Sequence, residues 1–327
     1  MELNNYMAVR EDGEGVLGKL LYYSLSSILV DRDKLAEICE GIGFPYSSNK
    51  RVALIDAFRS ATGDIYDSKT VVGSYGREII KVYCRDNKTS DGTISRELVK
   101  ETLDASTNSY KKLANLTFSK DVGISYTDLA YDEHVDAHDY CREAVELYEL
   151  YQTCAGRKHI ETLLEAYVES LSAVKLLARG KMYFVPRERM DRLEVFEDLV
   201  RLLEESNILD GKHRAPLDSN SMYVVDDAKQ REKMANAFYR SVRREIADYA
   251  ERANHLINTG SESAAVMERW IVRIRGLEAK KREYEAVLQR ELHDTDEDFT
   301  SLGYLADELA IRARGIHLSR DRGKSAA

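Results

Sequence analysis

Apolar positions recur every three or four residues through the later part of the chain and lose that period near its start. Between residues 17 and 30 they crowd without a clear repeat, so 25–30 reads as a short strand or the end of a helix. Asp31 or Asp33 then caps a helix carrying Leu35, Ile38 and Cys39, which the run Gly41-Ile42-Gly43-Phe44-Pro45 ends. Ser47 or Ser48 starts a second helix with Val52, Ile55, Ala57 and Phe58, closing near Gly63. Residues 79–84, 93–103 and 110–118 suit three strands of an antiparallel meander, with a turn at 87–92 between the first two.

From residue 132 the period becomes helical and stays so. Tyr140, Ala144, Leu147, Tyr151 and Cys154 step by 4, 3, 4 and 3, and Ile160, Leu163, Tyr167, Leu171, Val174 and Leu177 continue the style. Gly180 ends that run, and residues 182–186 form a short extended piece. A helix resumes over Met190, Leu193, Phe196, Leu199 and Leu203. Residues 207–221 form a loop expected to pair a strand with 182–185. Met234, Phe238, Val242, Ile246, Tyr249, Ala253 and Leu256 predict one long helix, and Trp270, Ile274, Leu277, Lys281, Tyr284 and Leu288 a second. Thr259-Gly260-Ser261 between them forces an antiparallel return, so residues of about 226–292 read as a coiled-coil hairpin. Residues 299–314 add a shorter helix, and the tail from Arg320 is expected to be unstructured.

The fold class expected from this pattern is mainly α with a small α+β N-terminal part. It divides into a module at 1–130, a helix pair plus meander with a winged-helix-like order, and a helical bundle at 131–327 ending in the hairpin. The composition agrees: 43% of residues are hydrophobic, 32% are charged and only 3 are proline, which excludes a disordered or collagen-like chain. No apolar run reaches the length of a membrane span, and no signal-peptide pattern opens the chain. The 4 cysteines form no CxxC pair, which points to a reducing, cytoplasmic setting.

The net charge is −9, and residues 131–210, with 10 basic against 18 acidic, carry most of it. That balance excludes a uniformly basic nucleic-acid binder and leaves local basic faces. Two such faces stand out. Asn49, Lys50, Arg51 and Arg59 fall on the second helix of a helix-turn-helix order at 31–62 and suit contacts to phosphate or base edges. Arg240, Arg243 and Arg244, with Arg273, Lys280 and Lys281, line the hairpin and could track a phosphate backbone. Interspersed glutamates favour a solvated coiled-coil face instead.

His134 and His138 are four apart, with Asp139 adjacent, a spacing that on a helix would converge as metal ligands. No HExxH motif accompanies them, and an acidic helix start explains the same run. The chain holds no GxxxxGK(S/T) loop, no GxGxxG turn after a strand and no GxSxG elbow, so no cofactor is called for. Its 20 tyrosines against 7 phenylalanines favour helix packing with polar rims.

The expected function is therefore a non-enzymatic binding or scaffold protein. Its hairpin docks a protein partner or self-associates, with nucleic-acid contact as a further role. The alternatives are a DNA-binding protein using 31–62 and a metal-dependent hydrolase around His134 and His138.

Overall fold

The structure, a computed structural model, describes residues 15–47, 52–73, 76–87, 94–103, 108–177, 179–209, 216–260 and 263–325. It is 55% helical and 27% strand, and this strand content overturns the mainly α class. A five-stranded antiparallel sheet, a four-stranded sheet and a two-stranded ribbon are all present. The chain packs as two compact units, each discontinuous in sequence. The first takes residues up to 24, 164–201 and 217 onward, and the second takes 25–163 and 202–216.

In the first unit, β1 (Val16–Ser24) lies between β10 (Met182–Pro186) and β11 (Asp218–Val225), with β9 (Val174–Lys175) beyond β10. All the pairings are antiparallel. The expected pairing of 182–185 with the 207–221 segment does not form, because β1 inserts between those two strands. Sequence pattern missed β1 because Val16, Leu17 and Gly18 are buried in succession. Where a strand is covered on both faces, as in this first part, alternation is lost.

The unit also holds α5 (Met190–Glu205) as far as residue 201 and three longer helices: α6 (Ala228–Asn258), α7 (Ala264–Leu288) and α8 (Asp296–Ser325). The two helices of the expected hairpin are in place, and α8 packs on both of them, so the architecture is a three-helix bundle. The helix forecast at 299–314 thus runs on through Ser325, into the tail expected to be unstructured. Gln289, at φ 50, turns the chain out of α7. The core joins sheet to bundle: Leu17, Phe184 and Val224 pack with Phe238, Val242, Ile274 and Tyr284. Tyr284 is fully buried, and its hydroxyl donates to Ser172 O at 3.0 Å, with burial holding the phenol far above its usual pKa. That hydrogen bond, with the Phe184 carbonyl also within 3.4 Å, is what makes a buried tyrosine tolerable there.

In the second unit, β3 (Tyr66–Gly73), β4 (Gly76–Asn87), β5 (Ile94–Leu103), β6 (Asn108–Ser119) and β7 (Gly123–Thr127) form the five-stranded meander in sequence order. Its concave face packs on α2 (Leu54–Asp64) and α3 (Ala137–Thr153) through Phe58, Ala61, Ile80, Leu98, Leu116 and Cys141. The helical run expected to pass through Cys154 breaks there. Cys154–Gly156 forms β8, which pairs with β2 (Leu29–Asp31), and α4 (Arg157–Ser170) begins afterwards. Asp31 is the cap of α1 (Arg32–Gly41), accepting from the backbone N–H groups of Asp33 and Lys34. A register shift in the β5–β6 ladder leaves Leu113 unpaired as a bulge, and its carbonyl accepts from Ala130 N at 2.8 Å.

At that end of the sheet, Lys100 and Lys111 both donate to the Asp132 carboxylate, at 2.9 and 3.0 Å. The Asp132 side chain is 5% exposed. Burial alone would raise its pKa, but the hydrogen bonds from Lys100, the His134 backbone and Lys111 outweigh it and hold the group at about 2. A depressed carboxylate stabilises the fold above its unfolded pKa, and that stability disappears as pH falls through the folded value. The second unit should therefore lose about 2 kcal/mol between roughly pH 4 and pH 2. Amide exchange in β5 and β6 measures this, and an Asp132→Asn variant should show no such slope.

Candidate functional site

Helix α6 begins where Asp227 accepts from Gln230 N at 2.8 Å and Arg231 clasps Asp226 with two nitrogens at 2.5 and 2.9 Å. Met234, Phe238, Val242 and Ile246 bury one stripe of the helix. Beside it runs a second stripe, Lys229, Lys233, Asn236, Arg240 and Arg243, spaced 4, 3, 4 and 3 and exposed throughout. It covers about 21 Å of helix axis. Lys229, Lys233, Arg240 and the adjacent Arg244 make no ion pair with any described residue. Arg243 donates only to the Asp294 carbonyl, at 3.2 Å.

This stripe forms the wall of a groove with two halves. The upper half, of about 590 Å³, has Leu176, Met234 and Ala237 as floor and Lys233, Arg240 and Arg243 as rim. The lower half, of about 760 Å³, continues past Arg243 over Ile246, Leu302 and Leu305, rimmed by Glu297, Asp298 and His293. The groove is thus apolar along its bottom, with cations in excess at the upper end and carboxylates in excess at the lower, Arg243 and Asp294 lining both halves. Tyr239 closes the upper half, and burial together with the charge of Asp294 pushes its phenol up, so it stays a neutral donor. His293 bonds Asp296 and Glu291, and both carboxylates lift its pKa, which favours the imidazolium.

Of the basic residues singled out by sequence, Arg240 and Arg243 line the groove and Arg244 flanks it. The others are engaged elsewhere. Lys280 pairs with Glu245 at 3.2 Å, and Lys281 pairs with Asp296 and Glu285. Arg273 lies 4.9 Å from the ring centre of Trp270. Arg59 stands 3.8 Å from Asp56 on α2, and Asn49, Lys50 and Arg51 lie outside the described residues. α1 packs on β2 and β8, whereas α2 packs on α3 and β4. Lys233, Asn236, Leu176 and Asp294 were missed. The first two were detectable, because they continue the arginine spacing toward the N-terminus of α6. The other two reach the groove only through tertiary packing.

The paired histidines do not share a helical face, because Asp136 caps α3 and His134 precedes it. His134 Nδ1 is 3.6 Å from Glu133, His138 stands edge-on to Tyr126 and Asp139 pairs with Arg142 at 3.0 Å. Among the described residues no group of three or more His, Cys, Asp or Glu side chains could hold a metal ion. The four cysteines are free; burial pushes the Cys39 and Cys141 thiols up to about 11 and Cys84 to about 12. Such thiols are protonated at neutral pH and are poor nucleophiles. No helix among the described residues is long and apolar enough to cross a membrane.

Fold and groove together define the class: an α+β protein of two units, one bearing a three-helix bundle with a charge-divided groove. The chain belongs to a family of unknown function, DUF6744, which it matches over residues 16–315. No curated protein and no solved structure matches it.

Proposed function

We propose that this protein is a non-enzymatic, cytoplasmic binding protein whose α6 groove holds an amphipathic, acidic segment of a protein partner. The observation that carries this reading is the pair Lys233 and Arg240 on the rim of an apolar floor, with Lys229 and Arg244 nearby on the same helix, none of them in an ion pair with a described residue. A segment with apolar residues on one face and carboxylates on the other satisfies both features at once. A phosphate backbone would use the cations, leave Leu176 and Met234 without a partner, and meet Glu297 and Asp298 further along. The anionic lower half instead suits a basic residue at the far end of a peptide, which would fix its direction. Free, buried cysteines support the cytoplasmic setting.

The test is anisotropy of two labelled probes at low and near-physiological salt. One is an amphipathic helical peptide with glutamate on one face and leucine on the other, and the second is a DNA duplex of about 20 base pairs. The peptide should bind and the duplex should not. Exposed charge pairs contribute at most about 1 kcal/mol each. Arg240→Glu with Arg243→Glu should therefore weaken the peptide about tenfold, or about 1.4 kcal/mol. Duplex binding that falls steeply with salt and vanishes in the same variant would replace the protein partner by nucleic acid. Silence of both probes at low salt removes the reading.

A further inference from the structure

The outer ridge of α8 is apolar. Tyr304, Ile311 and Leu318 are 71%, 69% and 61% exposed, and their seven-residue spacing puts them in one row. That row lies opposite the buried Leu302, Ala306, Leu309 and Ala313, which already face the bundle. Large exposed side chains aligned over two heptads form a seam for another helix.

The charges of α8 say which helix. Residues 296–310 carry five acidic side chains and no basic one; residues 311–325 carry five basic and one acidic. The helix dipole favours such a division only in the first and last turns. Asp307, Glu308, Arg312 and Arg314 stand in the middle of the helix, where the dipole does not reach. Asp307 and Arg314 are exposed and make no ion pair with a described residue. Glu308 holds Arg312 through Oε1 at 2.8 Å and has Oε2 left over.

We infer that α8 docks on the α8 of a second copy of this chain, antiparallel, around a two-fold axis at Ile311. In that register Tyr304 meets the partner's Leu318, Ile311 meets its own counterpart, and the acidic half lies along the basic half. Glu308 and Asp307 then face the partner's Arg314, and the same contact repeats across the axis, as an isologous interface requires. A parallel pair would set like charge on like charge. The seam is independent of the groove, since Leu305 is turned about 100° from Tyr304 on the helix. One helix pair buries less than the roughly 1,600 Å² of a standard interface, so association depends on concentration.

Sedimentation equilibrium of the full chain from about 2 to about 200 µM reads the outcome, with circular dichroism to confirm that each variant is folded. The wild type should approach twice the monomer mass, and Ile311→Glu and Arg314→Glu should stay monomeric. Since Ile311 and Arg314 lie on the surface, neither change touches the core. A mixture of Tyr304→Cys and Leu318→Cys chains should cross-link on mild oxidation, and each variant alone far less. A wild type that stays monomeric overturns the proposal, as does a dimer indifferent to Ile311→Glu. Cross-links confined to each variant alone overturn it equally.

Discussion

Replacing Gly18 with alanine is expected to destabilise the first unit by about 4 kcal/mol or more, at the upper end of what single substitutions do. A Cβ at this position would stand 2.0 Å from the Val185 carbonyl oxygen and 3.0 Å from Pro186 Cα and Phe184 Cε2. The nearest atom is backbone, so no side-chain rotation relieves the clash and β1 must part from β10. β1 is hydrogen-bonded on both sides, and Gly18 sits at the register shift opposite β11, facing Pro186 on one side and Val224 on the other. Glycine inside a strand marks a close backbone approach of this kind. Separation would pull Leu17 away from Phe184 and Val224 in the same core. Trp270, the only tryptophan, lies in this unit and reports its unfolding. The midpoint should fall by roughly 8–16 °C for a unit of this size, and a loss within about 1 kcal/mol would show that the strands do not approach so closely.

The second large effect is expected at Gly156, in the other unit. A Cβ there would lie 2.4 Å from Tyr151 Cε1 and 3.0 Å from its hydroxyl. The ring is 7% exposed and anchored, because its hydroxyl donates to Asp64. Burial raises the Asp64 pKa, with the tyrosine hydrogen bond acting against that rise. Moving the ring aside would break its hydrogen bond to the Asp64 carboxylate and push a nearly buried ring off its packing site. Gly156→Ala should therefore destabilise the second unit by about 2–3 kcal/mol, as overpacking against a packed ring does. Tyr151→Ala is costly by itself but removes the obstacle, so adding Gly156→Ala to it should cost little. Amide exchange in β2 and β8 measures all three variants, and an additive pair would mean that the two residues do not meet.

Sequence pattern located the long helices because their burial is one-sided. Met234, Phe238, Val242 and Ile246 face the core while charged residues face water, and the 3.6-residue period stays visible. The strands failed for two opposite reasons. β1 is buried at Val16, Leu17 and Gly18 in succession, so its first half does not alternate, whereas β3 is a sheet edge, with Tyr66 and Val72 61% and 83% exposed, and has little buried side to alternate with. The class was misjudged for want of these two, together with β7; strands at 79–84, 93–103 and 110–118 and one within 207–221 were expected. α8 was cut short because Ile311 and Leu318 lie outside the buried stripe and its last residues are charged. The groove was half legible. Arg240, Arg243 and Arg244 stood out as a cluster, but nothing local says that Lys280 and Lys281 are neutralised by Glu245 and Asp296 while those three arginines make no ion pair with a described residue. That distinction depends on which helix lies alongside, information that exists only after folding.

The nesting of the two units has a consequence for synthesis on the ribosome. β1 is translated before the whole of residues 25–163, yet its neighbours β10 and β11 begin at Met182 and Asp218. At about 5–20 residues per second, the nascent strand Val16–Ser24 waits roughly 10–40 s before its last neighbour is made. Most of the five-stranded meander's unit can collapse in that interval, while an apolar strand meant for an inner position has no sheet to join. The first unit therefore cannot close until β11 is made, although β1 is translated before the second unit begins.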